Sequence, residues 1–187
     1  MGRHILFLGP PGAGKGTQAK LLAQALGVPH ISTGEMLRSA VAAGTDLGRR
    51  AEAIMAAGDL VPDDLVIALV EERLAEDDAA CGYLLDGFPR NVDQARALTD
   101  AIGDDAIELA LLLEVPEDEI VDRLLKRAEA EGRADDTDET IRRRLEVYRE
   151  ETEPLVAHYG GIVLRVDGIG TIEEIFAGMV LSLAEPR

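Results

Sequence analysis

The sequence is poor in cysteine and in basic residues, and both shortages limit what the chain can be. Its 187 residues include a single cysteine, Cys81, which excludes an internal disulfide framework and a four-cysteine zinc site. The neighbours of this cysteine, "AACGY", predict a small core residue. Only 19 Lys and Arg stand against 36 Asp and Glu, a formal net charge of -17. This balance disfavours nucleic acid or an anionic membrane as a bulk partner.

Long apolar runs are also missing, as are catalytic spacings of histidine. No apolar run approaches the roughly 18 residues that a membrane helix needs. No N-terminal stretch resembles a secretory signal, because the strand-like "HILFLG" leads directly into a glycine-rich loop. We therefore expect a cytosolic protein. The three histidines, His4, His30 and His158, have no catalytic spacing with Ser, Cys or Asp.

The apolar runs that are present are short and alternate with segments of helical periodicity. They read "HILFLG", "VPHIS", "GYLLD", "LALLLEV" and "GIVLRV", which is typical of a parallel sheet covered by helices. Residues 32–61 are helical in pattern, with Gly44 and Gly48 as breaks. The polar segment 128–137 is too charged to be core. The length suits one domain, to which we expect these two segments to be attached.

Two helix starts carry clear signals. Pro62 stands at a first helical position, and Asp63 and Asp64 follow in the first turn, where negative charge suits the helix dipole. Asn91 is placed to cap the helix that begins after "GFPR".

The stretch "LGPPGAGKGTQ" carries the chemistry of a phosphate-binding loop. Gly9, Gly14 and Lys15 match the pattern G-x-x-x-x-G-K-[S/T], but Gly16 stands where the hydroxyl residue belongs, and the hydroxyl follows at Thr17. A strand before and a helix after would let unhindered backbone N–H groups close around a phosphate. Lys15 would reach the outer phosphates. The dinucleotide pattern G-x-G-x-x-G fails, since Thr17 occupies its third glycine position.

A second motif, "LLDGFPRN", places an acid at the end of a strand. In a phosphate-loop protein, Asp86 at this position is suited to binding magnesium, directly or through water. Arg90 follows four residues later in a loop shaped by Gly87 and Pro89. An arginine fixed beside a metal-binding acid is suited to gripping a second phosphate.

Further arginines cluster between residues 123 and 149. On a helix through "ETIRRRLEVY", Arg144 lies about 40° from Tyr148 on the buried stripe, whereas Arg143 points away from it. Arg144 thus implies an anionic ligand or a paired acid. Arg127 and Arg133 flank or occupy the polar segment and are suited to closing on a phosphate chain. If the nucleophile is an ionised phosphate oxygen, no general base is needed.

The whole chain resembles adenylate kinase in its short-lid form. The motifs that carry the resemblance are "GPPGAGKGT", "ISTGEMLR", "AGDLVPDDLV", "LLDGFPRNVDQA", "LLKRAEAEGRADDTDETIRRRLEVY" and "TEPLV". It implies a monomer that transfers phosphate reversibly between magnesium-ATP and AMP, giving two ADP. It also implies an α/β core with a five-stranded parallel sheet between helices (1–31, 62–127 and 137–187), a helical AMP-binding insert (32–61) and a short lid (128–136). The lid has no cysteine, so structural zinc is not expected.

The resemblance also implies a set of site residues. It places ATP on Gly12, Ala13, Gly14, Lys15, Gly16, Thr17, Arg127 and Gly170. It places AMP on Thr33, Arg38, Asp59, Leu60, Val61, Gly87, Phe88, Pro89, Arg90, Gln94, Arg133 and Arg144. The catalytic cations would be Lys15, Arg90, Arg127, Arg133 and Arg144, with Asp86 holding magnesium through water.

Two alternatives compete with this interpretation. A UMP/CMP kinase on the same scaffold would also carry "GFPRN", but Thr33 and Gln94 read the adenine in adenylate kinases. A nucleotide-gated switch would bind ATP without transferring phosphate, yet such a switch needs no second phosphate grip such as Arg90 and Arg144. The adenylate kinase interpretation is therefore preferred.

Overall fold

The computed structural model describes residues 4–131 and 137–184. The described residues form five strands and nine α-helices. The strands are β1 (His4–Leu8), β2 (His30–Ser32), β3 (Tyr83–Asp86), β4 (Leu109–Glu114) and β5 (Val163–Asp167). The helices are α1 (Lys15–Leu26), α2 (Thr33–Ala42), α3 (Asp46–Ala57), α4 (Asp63–Leu74), α5 (Val92–Ile102), α6 (Glu117–Glu131), α7 (Asp138–Val147), α8 (Pro154–Tyr159) and α9 (Ile172–Ala184).

The strands form one parallel sheet in the order β2-β3-β1-β4-β5. The chain leaves β1 toward one side of the sheet and later returns to pair β4 with the other side of β1. Ligands of such sheets bind beyond the carboxyl ends of the strands where the strand order reverses. The expected α/β fold is therefore confirmed, and the crevice above β1 is where a ligand site is expected.

Helices cover both faces of the sheet. Along β1, Leu6 and Leu8 belong to one apolar cluster, and Ile5 and Phe7 belong to the other. This alternation follows the two-residue period of a strand, and since both faces are buried the strand is apolar throughout. The first cluster continues into α2, α3 and α4, so the helices of residues 32–61 share the core of the sheet domain. A third, smaller cluster joins α6 to α7.

Gly48 does not break a helix, contrary to the sequence prediction. It lies buried inside α3, where a Cβ would come within 2.1 Å of the backbone oxygen of Ala40. Glycine is needed there because α2 and α3 approach each other closely, not because the chain turns. Gly44, with a φ of +64°, does separate the two helices.

The structure also tests three smaller predictions. Cys81 is exposed, so its prediction as a core residue is wrong: it lies in the connection before β3, outside the alternating pattern of the strand. Pro62 is the N-cap of α4 and the helix begins at Asp63, one residue later than predicted. Asn91 caps α5 as predicted, because its side chain accepts a hydrogen bond from the Gln94 backbone N–H.

Candidate active site

The glycine-rich loop lies between the end of β1 and the start of α1. Gly12 and Gly14 have φ angles of +84° and +91°, a region that favours glycine. The Lys15 ammonium donates to the carbonyl oxygens of Gly9 at 2.8 Å and Pro10 at 2.9 Å. The first turn of α1 has no acidic residue, so nothing there opposes an anion at the positive end of the helix dipole.

Lys15 lies among other cations. Burial lowers the pKa of its ammonium to about 8. The Asp86 carboxylate acts in the opposite direction, while the positive charges of Arg90, Arg144 and Arg127 lower the pKa further. A bound phosphate would favour the charged ammonium of Lys15, because its negative charge would counter both the burial and the repulsion from the neighbouring cations.

Asp86 lies directly beside the phosphate loop. The sheet register pairs it with Phe7 of β1, and its side chain is nearly buried. A Cβ added to Gly16 would lie 3.5 Å from Asp86 Oδ2. The carboxylate therefore faces the position from which the usual Ser or Thr hydroxyl of a phosphate loop would project.

The environment of Asp86 keeps its carboxyl ionised. Burial alone would raise its pKa. However, His30 Nε2 lies 3.4 Å from Asp86 Oδ2, and this contact together with the charges of Lys15 and Arg90 brings the pKa below its usual value. A buried, ionised carboxylate suits a hard cation such as magnesium.

Arg90 is held in place by three backbone contacts. Its Nε donates to the Gly87 carbonyl oxygen at 2.8 Å, and its own backbone N–H donates to Gln94 Oε1 at 2.7 Å. Thr152, in the π-helical turn Tyr148–Thr152 between α7 and α8, donates its hydroxyl to the Arg90 carbonyl at 2.7 Å. Burial lowers the pKa of the Arg90 guanidinium to about 10, and Arg144 adds to this effect.

Two cavities meet at Arg38, Arg90 and Arg144. The larger, about 1580 Å³, extends from the phosphate loop to α6 and α7. The smaller, about 590 Å³, lies between α2, α4 and the loop after β3. The residues that line both cavities are Gly34, Arg38, Gly58, Leu60, Gly87, Arg90 and Arg144.

Most of the predicted site residues line one cavity or the other. Among the predicted ATP residues, those lining the larger cavity are Gly12, Gly14, Lys15, Gly16, Thr17 and Arg127. Asp86, predicted to hold magnesium, lines it as well. Among the predicted AMP residues, those lining the smaller cavity are Thr33, Arg38, Asp59, Leu60, Val61, Gly87, Arg90, Gln94 and Arg144.

Four of the predicted residues do not line the cavity of the substrate to which the resemblance assigns them. Ala13 and Phe88 are buried with 1% exposure and line neither cavity. Pro89 lines the larger cavity and not the smaller, and Gly170 lies exposed after β5 and lines neither.

Arg133 lies outside the described residues. Helix α6 continues to Glu131, so residues 128–131 of the predicted lid range belong to this helix, and residues 132–136 are outside the described part.

The sequence alone does not single out Arg123, which lines the larger cavity. Its Nη1 lies 3.5 Å from the Ala13 carbonyl oxygen of the phosphate loop, and its Nε donates to Glu119 at 2.8 Å. One signal could have found it. Arg123 precedes Arg127 by four residues, and residues at this spacing share a helix face.

A parallel sheet with a glycine-rich phosphate loop at the switch point, beside two cavities that share arginines, defines a P-loop phosphotransferase with two substrate pockets. The adenylate kinase family model matches residues 7–162. The chain belongs to the adenylate kinase family, and it is an enzyme, an ATP:AMP phosphotransferase. The UMP/CMP alternative is not favoured.

Curated relatives agree with the family model. The chain is 55% identical to an adenylate kinase of Thermus thermophilus over 181 residues, which cover 95% of each chain. It is 54% identical to that of Nocardia farcinica over 174 residues, or 92% of this chain and 94% of the relative. The adenylate kinase of Thermobifida fusca is 51% identical over 176 residues, or 92% and 93%.

The described residues show neither a membrane-spanning helix nor a ready-made metal cluster. No helix in residues 4–131 or 137–184 has both the length and the apolar composition of a membrane span. The same residues contain no group of three or more His, Cys, Asp or Glu side chains placed to hold a metal ion.

Proposed function

We propose that the two cavities divide the substrates, with ATP in the larger, AMP in the smaller, and the transferring phosphoryl group at the arginines that line both. The observation that carries this proposal is the shared wall of Arg38, Arg90 and Arg144. Phosphoryl transfer depends mainly on positioning and on positive charge around the transferring group. Cations common to both cavities are suited to that role.

The ATP phosphates bind the backbone N–H groups of the loop from Gly12 to Thr17 and the ammonium of Lys15. Arg127 contacts the phosphate chain from α6, and the backbone near Gly170 borders the nucleoside. Arg123 joins this set, since its guanidinium lines the same cavity and contacts the loop. Lys15 would leave the carbonyl oxygens of Gly9 and Pro10 to reach the outer phosphates.

AMP binds with its base toward Thr33 and Gln94 and its phosphate toward the arginines. The proposed contacts are Thr33, Arg38, the backbone of Asp59, Leu60 and Val61, then Gly87, Phe88, Pro89, Arg90 and Gln94. Because the Phe88 side chain is buried in the core, any contact from this residue comes from its backbone.

Transfer uses a phosphate oxygen of AMP as the nucleophile. This oxygen is already ionised at neutral pH, so the site needs no general base. Lys15, Arg90, Arg127 and Arg144 stabilise the charge that develops on the transferring group. Arg133, outside the described residues, is assigned to this set by the family resemblance.

Magnesium enters with ATP in this proposal. Asp86 would hold it through water, and the ion would neutralise phosphate charge and orient the phosphate chain. The orientation of the carboxylate toward Gly16 supports this role, because the side chain lies where a phosphate-loop hydroxyl would otherwise reach the ion. Direct ligation of magnesium by Thr17 or Asp86 in a complex with magnesium-ATP would contradict the water-mediated version.

The remaining parts of the proposal concern the whole chain. The core comprises residues 1–31, 62–127 and 137–187, residues 32–61 form the AMP-binding insert, and residues 128–136 form a short lid. The enzyme acts as a cytosolic monomer that balances adenine nucleotides, without structural zinc, nucleic acid or membrane partners. Gel filtration with light scattering tests the monomer.

The direct test is ADP formation from ATP and magnesium with a panel of nucleoside monophosphates. We expect AMP to be strongly preferred over UMP and CMP. Equal turnover of UMP would contradict the assignment of the smaller cavity to AMP, and ADP formation that does not depend on AMP would contradict the division of substrates.

The shared arginines are tested by Arg90→Ala. This change should cripple turnover and leave the melting temperature nearly unchanged. Arg96→Ala is the matched control, because Arg96 lies on the exposed side of α5 and pairs only with Asp93 among the described residues. Near-normal turnover of Arg90→Ala would count against its role.

A further inference from the structure

The carboxamide of Gln94 is held at both ends. Gln94 is only 1% exposed and borders the smaller cavity. Its Oε1 accepts from the backbone N–H of Arg90 at 2.7 Å. Its Nε2 donates to Asp63 Oδ1 at 2.6 Å. Within the described part of the chain, these two bonds leave one N–H and one oxygen lone pair of the carboxamide for a ligand.

The two partners determine which way round the carboxamide lies. A backbone N–H can only donate, and an aspartate carboxylate accepts. Rotating the Gln94 amide by 180° would oppose its NH₂ to the Arg90 N–H and its oxygen to the Asp63 carboxylate. Both bonds would be lost and replaced by repulsion, so a single orientation is stable.

Asp63 is itself held in place. Asn91 Nδ2 lies 3.2 Å from each carboxylate oxygen of Asp63, while Asn91 Oδ1 accepts from the Gln94 backbone N–H at 2.8 Å. These bonds connect the first turn of α4 to the first turn of α5. The orientation of Gln94 is therefore built into the junction of two helices.

The orientation matters because a carboxamide can match two kinds of purine. A 6-amino purine presents a donor at C6 and an acceptor at N1, whereas a 6-oxo purine presents an acceptor at C6 and a donor at N1. The oxygen and NH₂ of a carboxamide complement the first pattern in one orientation and the second pattern after a 180° rotation. An unconstrained glutamine would accept both bases.

We infer that Asp63 is a specificity-positioning residue: together with the backbone N–H of Arg90, it fixes the Gln94 carboxamide in one orientation, so that the smaller cavity selects a 6-amino over a 6-oxo purine monophosphate. The inference rests on the proposed function, in which Gln94 contacts the base. Asp63 touches no substrate in this account and acts through Gln94.

The chain supplies a matched control in the adjacent residue. Asp63 and Asp64 both lie in the first turn of α4, where each interacts with the helix dipole. Asp63 is half-buried and bonds to Gln94, whereas Asp64 is exposed and makes no hydrogen bond or ion pair with the described residues. Comparing the two separates the orientation of Gln94 from the charge at the helix start.

The test compares the wild type with Asp63→Asn, Asp64→Asn, Gln94→Ala and the double variant Asp63→Asn/Gln94→Ala. kcat and KM are measured for AMP and for inosine 5′-monophosphate, which carries the 6-oxo group. Asn keeps the shape of Asp63, but it can donate to a rotated Gln94 oxygen. We expect Asp63→Asn to lower the AMP:IMP ratio of kcat/KM about tenfold, mainly through KM, and Asp64→Asn to leave it within about twofold.

Two further comparisons complete the test. Gln94→Ala should lower the ratio by at least as much as Asp63→Asn, and adding Asp63→Asn to Gln94→Ala should change it no further, since Asp63 acts only through Gln94. If Asp63→Asn folds poorly, Asp63→Ser replaces it, because a hydroxyl can also donate or accept.

The outcomes are distinguishable. The inference is wrong, and the contact of Gln94 with the base stands, if Gln94→Ala lowers the AMP:IMP ratio but Asp63→Asn and Asp63→Ser do not. A loss of activity in the Asp63 variants that is equal for AMP and IMP leads to the same conclusion. If Gln94→Ala leaves the ratio unchanged, or the wild type does not discriminate, the base contact fails and the inference fails with it. The inference is supported if the ratio falls in Asp63→Asn, stays within about twofold of the wild type in Asp64→Asn, and is no lower in the double variant than in Gln94→Ala.

Discussion

Two adjacent arginines on α7 give a sharp test of the site, because the helix points them in different directions. Arg144 is half-buried and lines both cavities. Arg143 is exposed, donating to Asp59 Oδ1 and to Glu146 Oε2 at 2.7 Å each. The two substitutions are Arg144→Gln and Arg143→Gln. Glutamine is chosen because it keeps the side-chain stem, and the Arg144 Cγ lies 3.1 Å from the position of a Cβ at Gly58.

The expected loss for Arg144→Gln follows from its place between the cavities. Removing one preorganised charged donor from a transferring group costs roughly 10²- to 10³-fold in kcat. We expect the upper end, about 10³-fold or ~4 kcal/mol of transition-state stabilisation, because Arg144 lines both cavities. Among the described residues, Arg143 makes only exposed ion pairs, so we expect Arg143→Gln to keep turnover within about threefold of the wild type.

The assay is ADP formation from AMP and magnesium-ATP at saturating concentrations, with melting temperatures measured for both variants. A second readout is the pH profile of kcat/KM. Loss of the Arg144 charge should raise the pKa of Lys15 and move the alkaline limb upward, while Arg143→Gln should leave it in place. Comparable losses of turnover in the two variants, or an unchanged limb in Arg144→Gln, would refute the reasoning.

The remaining predictions concern pH and packing. Because burial lowers the pKa of Lys15 to about 8, the ammonium is charged below that pH and neutral above it, so kcat/KM for ATP should fall as the pH rises through about 8. kcat at saturation should persist to higher pH, since bound phosphate raises this pKa, and a kcat/KM profile flat to about pH 9.5 would contradict the prediction. Gly48→Ala should destabilise the fold by about 1–3 kcal/mol in urea denaturation, because its Cβ would overlap the Ala40 carbonyl. Gly178 lies on α9, where an added Cβ would meet none of the described residues within 4 Å. Gly178→Ala should therefore stabilise the fold by about 0.4–1 kcal/mol, and equal effects of the two substitutions would argue against the close contact of α2 with α3.

Features that depend on local chemistry could be predicted from the sequence. Buried strands show as apolar runs because both faces of a parallel sheet are covered, and the phosphate loop shows through the spacing of Gly9, Gly14 and Lys15. The helical period is enough to direct Arg144 inward and Arg143 outward, and the structure agrees with both directions. Each of these features is determined within one element or at its end.

Features that depend on two elements meeting could not be predicted. Gly48 resembles a helix break because the sequence does not show that the Ala40 carbonyl of α2 lies against it. Cys81 resembles a core residue because its small neighbours do not reveal which side of the connection faces solvent. Asp63 resembles a simple helix-dipole residue, since its bond to Gln94 spans 31 positions of the chain.

The acidity of the whole chain and the cations of the site have opposite effects on a nucleotide. At a formal net charge of -17, the protein repels an anion at long range, but salt screens such repulsion beyond about 8 Å at physiological ionic strength. The charged side chains that line the larger cavity are Lys15, Lys20, Arg38, Arg90, Arg123, Arg127 and Arg144, with the acids Glu35 and Asp86. Partly buried charges are screened much less, so the attraction within the cavity persists where the outer repulsion fades. If the larger cavity binds ATP as proposed, nucleotide binding depends on where these few cations lie, and the overall charge does not predict it.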